Sequence, residues 1–192
     1  MRSALLFLFC GALGAPAATP ASARTPVLVE LFTSEGCSSC PPADRLLARL
    51  AADQPEPGAL VVPLSLHVDY WDHLGWKDPF SSPRFTERQG GYAARFGNPG
   101  RVYTPQMVVD GRTAFVGSDE QEARRAIGES AREPKAMVRV ARNSTGTAHV
   151  TVANAPGGAD VFLAVIEDGV VSEVTRGAVS YTHLTLPTTP YV

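Results

Sequence analysis

Two cysteines three residues apart, Cys37 and Cys40, stand between an apolar run at residues 27–32 and a segment with a helical stripe that begins at Pro41. That placement constrains the fold more than any other feature of the chain. Val27-Leu28-Val29-Glu30-Leu31-Phe32 is nearly continuous in apolar side chains, the pattern of a strand buried on both faces. Ala43, Leu46, Leu47 and Leu50 then share one helical face, with Asp44, Arg45 and Arg49 expected to face out. A Cys-x-x-Cys pair at such a junction can cycle between dithiol and disulfide. The unpaired N–H groups and macrodipole of the helix N-terminus favour a thiolate at Cys37. Cys40, expected one helical turn deeper, is close enough to bond it.

The third cysteine, Cys10, falls in a segment with its own signature. One positive charge at Arg2, an apolar run over residues 4–13 and the small-residue site Ala21-Ser22-Ala23 read as a secretory signal peptide spanning residues 1–23. The run is too short for a membrane span, and Phe9 is bulky where a lipoprotein would carry a small residue. Cleavage after Ala23 leaves only the 37/40 pair, and an oxidising compartment, periplasmic or secreted, is expected. A chain of 192 residues, 44% of them hydrophobic, suffices for one ordinary domain or a small domain with an appendage. The formal charge of −2 argues against nucleic acid as a partner. No transmembrane helix is expected after the leader.

Residues 60–66 read as a second strand, in which Pro63 marks an edge or an irregularity. Strand, helix and strand make a right-handed crossover with a parallel pair. Cys37 and the segment that starts at His67 should therefore emerge on one rim. Residues 67–82 form an aromatic-rich loop, and 83–96 a helix anchored by Phe85, Tyr92 and Phe96. After a break at 97–100, a strand over 102–109 leads into Asp110-Gly111, a tight-turn signal, and a return strand at 113–116. Ser118-Asp119-Glu120 caps a helix running to about Ala131. Beyond Pro134 the short runs at 137–141, 148–153, 161–166 and 170–174, with turn residues between them, predict an antiparallel β region.

This order of elements resembles the thioredoxin fold over roughly residues 26–131. Thr104-Pro105 matches the place where that superfamily holds a cis proline against its cysteine pair, leaving backbone free to pair with an extended substrate. The stretch Glu30-Leu31-Phe32-Thr33-Ser34-Glu35-Gly36-Cys37-Ser38-Ser39-Cys40-Pro41-Pro42-Ala43-Asp44 is similar to a family of secreted bacterial thioredoxin-like proteins catalogued as a domain of unknown function. His67-Val68-Asp69-Tyr70-Trp71-Asp72 and Tyr103-Thr104-Pro105-Gln106-Met107 carry the same resemblance. It implies an α/β chain with a thioredoxin-like domain at 24–133, followed by a small antiparallel β-rich region at 134–178. Thioredoxins carry a buried acid in the first strand that moves the proton of the second cysteine. Glu30 stands in a similar place, although its link to Cys37 is one residue longer. The alternative is an acid bonded at the strand's end. The resemblance is expected to stop near Gly177. Residues 179–192 look like a translated sequencing-adapter read, a non-native tail on a chain truncated in its β region.

The expected function is thiol–disulfide exchange with protein, peptide or small-thiol partners, without a cofactor. Cys37 attacks, Cys40 resolves, Glu30 shuttles a proton, and Thr104 and Pro105 present backbone to the substrate. Tyr70 and Trp71, with Trp76, either bind peptide-like partners or pack as a lid over the core. This chemistry asks for an exposed Cys37. An inert structural disulfide is a competing reading, but a loop enclosing two residues removes little unfolded-state entropy. A copper(I)-handling protein using Cys37, Cys40 and His67 as metal ligands is another, since thiolates suit that ion. A closed zinc site would want a second Cys-x-x-Cys. A third alternative is a non-catalytic binding module built on the aromatic loop and the β tail. A peroxidase is remote, since nothing beyond a reactive thiol points to one.

Overall fold

The nearly continuous apolar run around Val29 becomes β1, Thr25–Thr33, an inner strand of the sheet. The structure is a computed structural model and describes residues 24–155, 157, 160–167, 171–174 and 181–184. The expected signal peptide and most of the segment 179–192 lie outside them. Chain order continues with α1, Pro41–Asp53, β2, Ala59–His67, a 3-10 turn at Asp72–Leu74, and α2, Pro83–Arg95. β3, Gln106–Val109, β4, Thr113–Val116, and α3, Glu120–Ser130, complete this part. The sheet runs β2-β1-β3-β4, with β1 and β2 parallel and the other pairs antiparallel.

Pro63 is tolerated because β2 is an edge strand, where a missing N–H costs no ladder bond. Asp110 and Gly111 both take positive φ, 47° and 63°, the geometry that an Asp-Gly hairpin turn demands. Asp119 caps α3 by accepting from the Glu122 amide at 3.0 Å.

Side chains alternate across the sheet and build two cores. Val27, Val29 and Leu31 pack with Leu46, Leu47 and Leu50 of α1 and Ala126 and Ile127 of α3. On the other face Phe32, Leu66 and Val108 meet Tyr70, Trp71, Phe85 and Tyr92. Gly117, just after β4, fills the seam between elements: an added Cβ would lie 2.7 Å from Leu31, 3.1 Å from Pro105 and 3.2 Å from Ala43. Thr33 pairs with His67 at the parallel ends of β1 and β2, so the 34–40 and 68–82 segments leave the sheet together.

The expected strand at 102–109 is shorter than its apolar run. Pairing starts at Gln106, because residues 102–105 turn through a cis Thr104–Pro105 bond instead of entering the ladder. In the C-terminal region β5, Met137–Arg142, pairs with β6, Ala148–Ala153, and β7, Val171–Val174, pairs with β8, Tyr181–Leu184. Residues 161–166 are not a strand, and no neighbouring strand pairs with them among the described residues. The chain is thus a mixed α/β protein whose four-stranded sheet is followed by small antiparallel hairpins. Among the described residues no helix is long and apolar enough to cross a membrane.

Candidate active site at the sheet rim

Residues 34–40 carry the chain from β1 to α1 through two tight turns. Cys37 N–H donates to the Ser34 carbonyl at 3.0 Å, and Cys40 N–H to the Cys37 carbonyl at 3.2 Å. The two Cα atoms are thereby held 5.4 Å apart, and the sulfurs are joined in a disulfide. The helix begins at Pro41 with Cys40 as its N-cap. Cys40 therefore stands at the mouth of α1, not one turn inside it, and Cys37 lies ahead of the helix. The cause is local. Pro41 and Pro42 have no N–H with which to bond the carbonyls of Cys37 and Ser38, so the helical ladder cannot extend upstream. The first amides of the helix, Ala43 and Asp44, both bond the Cys40 carbonyl, at 2.8 and 3.1 Å.

Hydroxyl groups reach the leading sulfur instead. Thr104 Oγ1 donates to Cys37 Sγ at 3.2 Å and accepts the indole N–H of Trp71 at 2.9 Å. Ser39 Oγ lies 3.5 Å from the same sulfur and 3.5 Å from the Thr104 carbonyl oxygen. The structure thus brings together Cys37, Cys40, Thr104 and Trp71, with Pro105 following Thr104.

Both sulfur-bearing residues have 0% exposure, which corrects the expectation of an exposed Cys37. Thr104 and Ser39 lie against the Cys37 sulfur, and the 68–82 segment folds back over the start of the turns, at Glu35 and Gly36. Trp71 rests on Gly36, where an added Cβ would meet the Trp71 Cβ at 3.2 Å. Trp76 Nε1 donates to Glu35 Oε2 at 2.8 Å, and Glu35 N–H donates to Asp78 Oδ2 at 2.8 Å. Ser172 of β7 adds a hydrogen bond to Glu35 Oε1. The covered sulfur nevertheless has hydroxyl neighbours rather than a purely apolar wall.

Beneath this loop, Asp78 Oδ2 also bonds His67 Nδ1 at 2.7 Å, and Asp78 Oδ1 accepts from Phe80 N–H at 2.9 Å. Burial works to raise the Asp78 pKa. The hydrogen bond and charge of His67, with the two backbone amides, outweigh it and hold the carboxyl below its ordinary value. His67 is therefore a buried partner of Asp78. The ligand set Cys37, Cys40 and His67 is not assembled: the sulfurs are bonded to each other, and among the described residues no group of three His, Cys, Asp or Glu could hold a metal ion.

Glu30 points to the α2 face, opposite Val29 and Leu31. One oxygen accepts from Arg88 Nε at 2.6 Å and the other from the Tyr92 hydroxyl at 2.5 Å. These bonds fit the acid held at its strand and give no support to a proton shuttle for Cys40. Burial raises the Tyr92 pKa, and the charge and hydrogen bond of Glu30 raise it further. Asp44, expected to face solvent, is buried instead and accepts from Thr33 Oγ1 at 2.8 Å. Its position four residues after Cys40, on the same side of the helix, was the signal that could have marked it.

Tyr70 and Trp71 are half-buried members of the second core. The Tyr70 hydroxyl donates to Gln89 Oε1 at 3.2 Å, and burial pushes its pKa up. Gln89, fully buried, also donates to the Tyr103 carbonyl at 2.7 Å and to Gln106 Oε1 at 2.9 Å, tying α2 to the segment that carries Thr104. Sequence reasoning gave Gln89, Asp78, Glu35 and Ser172 no role. Each acts through a partner distant along the chain, which no local pattern displays. A groove of about 510 Å³ lined by Phe96, Arg101, Tyr103 and Arg112 includes neither cysteine.

Fold and site together define a mixed α/β protein with a disulfide at the rim where two parallel strands end. The chain belongs to the family described as Protein of unknown function (DUF1223), whose model matches residues 28–188. That span runs past Gly177, so the family pattern does not stop there. The chain is also similar to a solved crystal structure, protein AGR_C_4864 from Agrobacterium tumefaciens. The two are 32% identical with a TM-score of 0.70, over 87% of this chain and 72% of that one. No curated protein matches the chain.

Proposed function

We propose that the protein is an exported thiol–disulfide oxidoreductase built on a thioredoxin-like domain, with protein or peptide disulfides and dithiols as substrates. The observation that carries this reading is the Thr104 hydroxyl, donated to Cys37 Sγ at 3.2 Å beside a closed Cys37–Cys40 pair. A hydrogen bond to sulfur favours its anion, and a sulfur that leaves or attacks as an anion is what exchange requires. In the oxidised form a substrate thiolate attacks Cys37 Sγ. The Cys37–Cys40 bond breaks, Cys40 leaves as thiolate and takes a proton, and a mixed disulfide joins Cys37 to the substrate. A second substrate thiolate then attacks its own sulfur in that bond and expels Cys37. Two electrons have passed from the substrate to the protein, which is left as the dithiol. In reverse, Cys37 thiolate attacks a substrate disulfide and Cys40 resolves it. Because Cys37 is covered, either direction begins with displacement of the cover.

The test is trapping. A Cys40→Ser variant should accumulate a mixed disulfide with a dithiol-depleted, disulfide-bearing peptide, and Cys37→Ser should form none. A Cys40→Ser protein whose free Cys37 forms no adduct after prolonged incubation would falsify the exchange reading. A Cys37→Ser protein that retains its biological role would favour a binding module instead.

A further inference from the structure

We propose that Trp71 is a positioning residue for Cys37, acting through Thr104 by aiming the Thr104 hydroxyl proton at the sulfur. This deepens the exchange reading and rests on it. An indole N–H only donates, whereas a threonine hydroxyl accepts but has a single proton to give. Trp71 Nε1 occupies an acceptor side of Thr104 Oγ1 at 2.9 Å, and the hydroxyl donates its proton to Cys37 Sγ at 3.2 Å. Without the indole the hydroxyl is free to turn its proton toward the Tyr70 oxygen, another side-chain neighbour.

Two features of the surrounding chain give this arrangement its weight. The first two positions of α1 are prolines, and the next two amides bond the Cys40 carbonyl. The usual supply of helix N-terminal N–H groups for a thiolate is therefore withheld from Cys37. Ser39 comes no nearer than 3.5 Å, so Thr104 is the closer hydroxyl. Trp71 is itself fixed in place: position 36 has no side chain, and an added Cβ would crowd the Trp71 Cβ at 3.2 Å. The titratable groups packed about the same turns are Tyr70, whose hydroxyl meets the Thr104 side chain, Glu35, bonded by Trp76 and Ser172, the His67–Asp78 pair, and Asp44 on α1. None of them is altered by the substitutions below, so their fields stay common to every variant.

The experiment is the pH profile of iodoacetamide alkylation of the reduced full chain, read at the Cys37 peptide by mass spectrometry. It compares wild type with Trp71→Phe, Thr104→Val, Thr104→Ser and the Trp71→Phe/Thr104→Val pair. Loss of one charge-assisted hydrogen bond should lower the thiolate fraction at neutral pH by about tenfold in Thr104→Val. Trp71→Phe should approach that loss, Thr104→Ser should stay near wild type, and the double variant should match Thr104→Val alone. Benzothienylalanine at position 71 keeps the ring shape and lacks the N–H, so it must reproduce Trp71→Phe even if the phenylalanine packs badly. A wild-type profile in the benzothienylalanine protein overturns the proposal, as does a Trp71→Phe shift that persists undiminished in the Thr104→Val background. Alkylation needs no disulfide partner. A coupled shift without any exchange would remove the functional reading and leave this one, and exchange without coupling would do the opposite.

Discussion

Glu30 has no contact with water, and both of its oxygens are bonded from one helix. Arg88 supplies the charge that lets this carboxylate stay inside, although its own side chain remains 38% exposed. Removing one partner of such a pair leaves an uncompensated buried charge, and partial exposure of the arginine reduces the penalty. Arg88→Met should therefore destabilise by about 2 kcal/mol in urea unfolding, and a loss too small to measure would show that Tyr92 alone holds Glu30. Asp78 gives a pH signature. Its folded pKa lies below the ordinary 3.8, so the unfolded chain binds more protons as the pH drops. Its contribution is fully present above that ordinary value and is lost as pH falls through the lower folded one. Denaturant midpoints should thus fall on acidification below about pH 4, less steeply in Asp78→Asn. A variant with the same acid limb as wild type would remove Asp78 from the account.

At the scale of elements, the 68–82 segment and β7 converge on Glu35, two residues ahead of Cys37. Ser172→Ala and Trp76→Phe each delete one hydrogen bond to that carboxylate. Both should speed reduction of the native disulfide by dithiothreitol, read as thiol appearance over time. Unchanged rates in both would mean that these bonds do not hold the cover. The elements themselves were largely legible in the sequence. The stripe of Leu46, Leu47 and Leu50, the doubly apolar β1 and the Asp-Gly turn each carry a local signal, and Pro63 pointed to an edge or an irregularity, of which the sheet shows the edge. Less legible were features set by what an element meets. Asp44 looked solvent-facing until Thr33 was placed beside it. Residues 161–166 had the composition of a strand but find no pairing edge among the described residues. Cys40, expected one turn inside the helix, caps it instead, because Pro41 and Pro42 cannot bond the carbonyls of Cys37 and Ser38. The site shows the same division: Cys37 and Cys40 were visible from spacing and Thr104 from the family resemblance, whereas the Asp78 and Glu35 bonds, between residues far apart in sequence, were not.

Over the whole molecule, stability is concentrated on the sheet. Leu47 is fully buried between α1 and β1, so Leu47→Ala should cost about 2–5 kcal/mol. Val140 in the β5–β6 hairpin is 65% exposed, and Val140→Thr should change stability by less than about 0.5 kcal/mol. Comparable losses at the two sites, by calorimetry, would place the hairpin within the cooperative core. The hairpin nonetheless shows Val138, Val140 and Val150 to solvent, an apolar strip that contrasts with the closed packing on the two faces of the four-stranded sheet. Gly117 marks the opposite extreme. There Leu31, Pro105 and Ala43 close in so tightly that one methyl group would act as a wedge. Alanine at that position would turn the Leu31 side chain aside and press the proline and Ala43 back by a few tenths of an ångström, and the threonine that precedes the proline would feel the same push. The contact between the threonine hydroxyl and the first sulfur is therefore open to mechanical adjustment from the back of the sheet, by a substitution that alters no polar atom.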